Sequence, residues 1–165
     1  TDATNFVNIV SNLDGKITYI ETSRGCPYRC AFCLSGSTSP LRFFELDKVK
    51  ADIIKVANSG TQTVKFVDRT FNANAKRANE IIKFILENRG IKIPENVCFH
   101  FEIAGDILKE ETFEILENAP KGLFQLEIGM QSFNEDTLKA ILAGKFALII
   151  PVIIFTEGRC VAIIK

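Results

Sequence analysis

From residue 17 onward the chain alternates between two hydrophobic rhythms. A short run of apolar, mostly β-branched or aromatic residues comes first. A longer stretch follows, with apolar positions every three or four residues. Residues 17–22, ITYIET, predict a strand. Leu46, Val49, Ile53, Ile54 and Val56 give residues 45–60 a helical spacing that stops at Gly60. The pair then recurs. TVKFVD (63–68), NVCFHFEIAG (96–105) and LFQLEIGMQSF (123–133) predict strands. Residues 74–90, closed by Gly90, and residues 108–120 predict helices, and residues 134–144 open another with Asn134 as its N-cap. Successive strand–helix units predict an α/β fold with a parallel sheet. TVKFV and VCFHF are nearly continuous apolar runs, which predicts strands covered on both faces.

The two ends break the rhythm. Residues 1–16 are polar and mixed, with a turn signal at Asp14-Gly15, and read as a leading segment or linker. Residues 146–165, FALIIPVIIFTEGRCVAIIK, hold two apolar runs split by TEGRC. They predict a hairpin or two strands, an atypical apolar tail to a domain spanning 17–145.

Composition narrows the function. Twenty basic and twenty acidic side chains leave no net charge, so nothing marks a nucleic-acid or anionic-membrane partner. The most apolar stretch, residues 146–155, is ten residues long and contains Pro151, whereas a spanning helix needs about 20 apolar residues. No charged-then-apolar leader opens the chain. Three of the five cysteines crowd into eight residues, which suits reduced thiols in a cytoplasmic protein better than a secreted disulfide scaffold.

Those three, Cys26, Cys30 and Cys33, lie in ETSRGCPYRCAFCLSG (21–36) with C-x3-C-x2-C spacing. The loop directly follows the first strand, the end of a β/α sheet where ligands sit. Two metal chemistries compete there. Structural zinc wants four ligands, usually as two pairs, and the single histidine, His100, falls on a distant strand. An iron–sulfur cluster takes thiolates at short loop spacings, and three of them leave one iron of a four-iron cluster open.

This motif, with Phe32 just before its last cysteine, resembles the radical S-adenosylmethionine (SAM) superfamily. FVDRTFN (66–72) and LEIGMQSFNEDTL (126–138) resemble the branch whose longer members carry a cobalamin-binding domain. That branch includes anaerobic magnesium-protoporphyrin monomethyl ester cyclases and methyltransferases. The resemblance implies a partial parallel (β/α) barrel, here reduced to about four strands plus the aberrant C-terminal β segment. An open barrel edge would then invite association.

It also implies a function. Cys26, Cys30 and Cys33 would hold a [4Fe–4S] cluster, and SAM on the open iron would be cleaved reductively to a 5′-deoxyadenosyl radical acting on a small-molecule substrate. An electron donor such as flavodoxin or ferredoxin would supply the electron. Cobalamin would enter through a domain absent here. Phe32 would lie against the adenine and Asp68 would meet the methionyl amino group. Glu102 and Glu127, if they point into the barrel, would accept from ribose, substrate or a basic side chain. Gln131 and Ser132 would contact ribose or carboxylate. Radical SAM oxidoreductase, cyclase and methyltransferase-like activities are all compatible with these residues. So is a non-catalytic iron–sulfur or zinc-binding piece of a larger protein.

Overall fold

The computed structural model describes residues 15–33, 40–129, 132, 134–140 and 161–164. Five parallel strands form one sheet in the order β1 (Ile17–Ile20), β4 (Thr63–Phe66), β5 (Cys98–Ile103), β6 (Phe124–Ile128) and β7 (Val161–Ile164). Helices α1 (Leu46–Ala57), α2 (Ala75–Asn88) and α3 (Glu110–Glu117) connect the first four, and α4 (Glu135–Ala140) follows β6. The α/β reading and its parallel sheet hold.

The helix starts follow local chemistry. The Glu45 carboxylate accepts from Asp47 N and Lys48 N, at 3.0 and 2.7 Å, and places negative charge at the positive end of α1. Asn74 Oδ1 caps α2 by accepting from Arg77 N at 3.1 Å. Asn134 does the same for α4, accepting from Thr137 N at 2.9 Å, as its sequence position predicts.

The helices bury one face of the sheet. Ile53 of α1, Ile81 and Ile85 of α2 and Leu116 of α3 join a core with Val64, Phe66, Phe99, Phe101, Phe124 and Leu126. Phe101 stacks on Phe71 at 4.3 Å between centroids and lies 4.6 Å from Phe66. Such pairs add about 0.5–1.5 kcal/mol each beyond their buried area.

Three findings depart from expectation. β5 keeps Phe99, His100 and Phe101 buried in succession, as expected, but β4 is not covered equally on both faces. β4 and β6 alternate between buried and half-buried positions, because their second face lines the barrel interior and carries Lys65 and Glu127. The second apolar run of the tail forms β7, which pairs parallel with β6 and so occupies the edge expected to lie open there. The first run lies outside the described residues. Finally, a short antiparallel pair appears where no strand was expected, β2 (Ser23–Arg24) against β3 (Arg42–Phe43). Two residues per strand are too few for any periodicity to show. No helix among the described residues is long and apolar enough to cross a membrane.

Candidate functional site

The cysteine loop leaves the carboxyl end of β1 through a clamp. Asp68, just past β4, is 1% exposed, and three donors reach its carboxylate. Thr22 N donates at 2.7 Å, Thr22 Oγ1 at 2.5 Å and Ser23 Oγ at 2.8 Å. The Thr22 carbonyl accepts from Phe44 N at 3.0 Å and from Arg77 Nη2 at 3.4 Å. Burial pushes the Asp68 carboxyl up, and the bonds from Thr22 and Ser23 oppose that shift. Its oxygens face the backbone and hydroxyls of the loop's own stem. Beyond the clamp, Gly25 turns the chain at φ 97°, a conformation costly for any residue with a Cβ, and delivers Cys26.

The segment after β4 reaches outward at every second residue. Asp68 holds the stem, and Thr70 Oγ1 lies 3.5 Å from Cys26 Sγ. Asn72 captures both polar groups of Ala104: Nδ2 donates to its carbonyl at 2.8 Å, and Oδ1 accepts from its N–H at 2.8 Å. Between these positions Phe71 turns back into the aromatic core. The polar i, i+2, i+4 pattern of DRTFN was the available signal for Thr70 and Asn72, which sequence reasoning passed over.

Tyr28, between the first two cysteines, makes a longer reach. Its hydroxyl donates to Asp106, 2.9 Å from Oδ1 and 3.1 Å from Oδ2. Burial first, and the bond to Asp106 second, raise the phenol well above its ordinary range, so it remains a donor. Asp106 belongs to the 3-10 turn Gly105–Ile107 that follows β5. No sequence pattern links residues 78 positions apart.

Cys26 and Cys30 are half-buried, Cys33 is exposed, and none of the three is in a disulfide. Cys33 N donates to Cys30 O at 3.0 Å, which folds the C-x2-C half into a turn. Among the described residues, no three His, Cys, Asp or Glu side chains converge on a single ion. A four-iron cube spreads its thiolates over separate corners, so convergence on one point is not what it requires. The donor chemistry, three soft thiols outside any disulfide on one short loop with two tethers, fits such a cluster. Phe32 is 57% exposed, so its ring is not used to pack the loop.

Glu102 and Glu127 are brought side by side on β5 and β6, in register, on the inner face. Lys65 Nζ of β4 lies 3.3 Å from an oxygen of each. His100 Nε2 is 3.3 Å from Glu127 Oε2. Burial lowers the Lys65 ammonium, but the bonds to the two carboxylates outweigh it, and the net shift is upward. Lys65 was not singled out from the sequence, because its partners lie on other strands. Ser132 Oγ accepts from Asn134 N at 3.1 Å, at the start of α4. Gln131 lies outside the described residues.

Residues 20–153 match the radical SAM superfamily. The chain belongs to that superfamily. Its members use a [4Fe–4S] cluster and SAM. Radical SAM domains are also its structural neighbours. The methyltransferase TsrM from Kitasatospora setae, solved with cobalamin and a [4Fe–4S] cluster bound, aligns with a TM-score of 0.68 at 17% identity. The alignment covers 81% of this chain and 26% of TsrM. The cobalamin-dependent SAM radical enzyme OxsB aligns at 0.60 and 21% identity, over 77% of this chain and 20% of its own.

Sequence relatives agree. The cobalamin-dependent radical SAM methyltransferase TokK of Streptomyces tokunonensis is 32% identical over 126 residues, 73% of this chain. The 2-(S-pantetheinyl)-carbapenam-3-carboxylate methyltransferase of Streptantibioticus cattleyicolor is 30% identical over the same share. This radical SAM chain spans about a fifth (18%) of the length of either relative. Both carry methyltransferase names, so the cyclase and oxidoreductase readings find no support in them.

Proposed function

We propose that this chain is the cluster- and SAM-binding core of a cobalamin-dependent radical SAM methyltransferase. The observation that carries the reading is the loop at the carboxyl end of β1, with three thiols in C-x3-C-x2-C order, none in a disulfide, on a radical SAM fold. When bound, the cluster supplies the electron that splits SAM at a carbon–sulfur bond.

This chain's residues do the rest. Cys26, Cys30 and Cys33 would hold the cluster through their thiolates. Phe32, uncovered beside the last cysteine, offers a flat apolar surface to the adenine. Asp68 fixes the loop's stem. Glu102 and Glu127 present acceptors to ribose or substrate from inside the barrel, with Lys65 balancing their charge. Ser132 and Gln131 remain candidates for ribose or carboxylate contacts at the end of β6. A low-potential donor such as flavodoxin or ferredoxin would reduce the cluster. Cobalamin would be held outside these 165 residues, consistent with the share of the relatives this chain covers.

That same share favours a second reading, a cluster-binding module that does not turn over by itself. Anaerobic reconstitution with iron and sulfide separates the readings. About four irons per chain are expected, lost in C26S, C30S and C33S and kept in C98S and C160S. SAM binding by calorimetry and formation of 5′-deoxyadenosine or methylated product above a Cys30→Ala control mark the enzyme. Iron uptake without either marks the module. Zinc in place of iron in protein purified without added metal overturns both.

A further inference from the structure

Within the loop Cys33 N donates to Cys30 O, and contacts from outside the loop hold it as well. The stem is clamped at Thr22 and Ser23, before the first cysteine. Within the C-x3-C half two side chains reach distant elements: Cys26 Sγ lies 3.5 Å from Thr70 Oγ1, and Tyr28, the middle of the three intervening residues, bonds to Asp106. C-x3-C has one residue more than the C-x2-C half, and that extra length must be directed away from the thiols. Tyr28 is drawn across the top of the sheet to the end of β5. There Asp106 waits on a turn whose preceding residue, Ala104, is fixed at both its N–H and its carbonyl by the buried Asn72.

We propose that Asp106 is a positioning residue for the cysteine loop. It holds the Tyr28 hydroxyl and thereby sets the separation of Cys26 and Cys30 before any cluster arrives. The assignment of that loop to a cluster rests on the function proposed above, but the tether exists in the apo chain and can be tested there. A carboxylate accepts from the phenol whether or not iron is present. Loss of either partner frees the C-x3-C half to sample conformations in which the two thiols are no longer correctly spaced. Loss of both should cost no more than loss of one, since the two residues act through a single bond.

The test uses Y28F, D106A, D106N and the double variant Y28F/D106A, each first shown to keep the far-ultraviolet circular dichroism and melting profile of the parent. In the apo chain, the rate of iodoacetamide alkylation at Cys26 and Cys30 is followed by mass spectrometry, with Cys98 as internal reference. In the reconstituted chain, the rate of iron loss to a chelator is measured anaerobically. Y28F and D106A should each raise both rates about tenfold, a size suited to loss of a hydrogen bond to a charged acceptor. The double variant should match the singles. D106N, which keeps an acceptor oxygen but loses the charge, should fall between the parent and D106A. Cys98 should not change. Parent-like rates in Y28F, additive effects in the double variant, or a D106N as impaired as D106A would each overturn the proposal. A chain that takes up no iron yet shows the alkylation pattern would count against the proposed function and leave the tether standing.

Discussion

The two faces of one sheet are built from alternate residues of the same strands and follow opposite physics. Toward the helices point Phe66, Phe99, Phe101 and Phe124, all at most 1% exposed and in contact with one another. Toward the barrel interior point Lys65, His100, Glu102 and Glu127, joined by contacts of 3.3 Å. The first face gains from dispersion and from apolar area removed from water. The second pays desolvation that its ion pairs only partly offset. A strand that needed stability alone would fill both faces with Val and Ile, as parallel sheets commonly do. The contrast teaches that the helix side carries the fold, while the inner side and the carboxyl-end rim carry polar and charged groups that meet one another.

The largest expected effect tests the apolar side. Phe101→Ala should destabilise by about 3–5 kcal/mol in urea denaturation, since it removes a ring stacked on Phe71 and set against Phe66. A loss below about 1 kcal/mol would break the contrast. Next comes the rim. Asp68→Ala leaves the Thr22 N–H and two hydroxyls without their buried acceptor, and should cost about 2–3 kcal/mol by the same measurement. Iron retention should fall with it, because the stem of the loop is released.

A smaller effect probes the inner face. Lys65→Met keeps the volume and removes the cation between two carboxylates, for about 1 kcal/mol given their partial exposure. The pH dependence has a definite sign. The Lys65 ammonium is raised in the folded chain, so its contribution is complete below the ordinary lysine value of 10.5 and is lost as pH climbs through the higher folded value. The stability difference between parent and Lys65→Met should therefore be flat near neutrality and shrink in strong alkali. A difference that grows there would mean the pairing is not what holds Lys65. The smallest effect lies on the outer helix surfaces. Glu80→Gln and Glu111→Gln break the exposed pairs with Lys50 and Lys83, and neither should move the melting temperature measurably.

Much of this architecture was legible in the sequence because it rests on local rules. The 3.6-residue spacing of Val49, Ile53 and Val56 needed only its neighbours to mark α1. Asn134 marked the start of α4 through an interaction three residues long. The C-x3-C-x2-C spacing marked a metal loop because thiols that close together have few other uses. β7 was legible as a strand, but its partner and direction were not, since an apolar run records no information about which edge it joins.

What the sequence determined by itself was the order of strands and helices, the caps, and the loop with its three thiols. The tertiary structure decided which polar residues meet. The fold set Asp68 against Thr22 and Ser23, donors that its place in the sequence does not reveal. Glu102 and Glu127 became a pair only when β5 and β6 aligned in register, and Lys65 joined them from a third strand. Tyr28 found Asp106 only because β1 and β5 end on the same side of the sheet. Periodicity is a property of neighbours along the chain. A carboxylate's role is set by which donors reach its two oxygens, and here those donors come from residues 27 to 78 positions away in sequence, brought within about 3 Å by packing the helices against one face of the sheet.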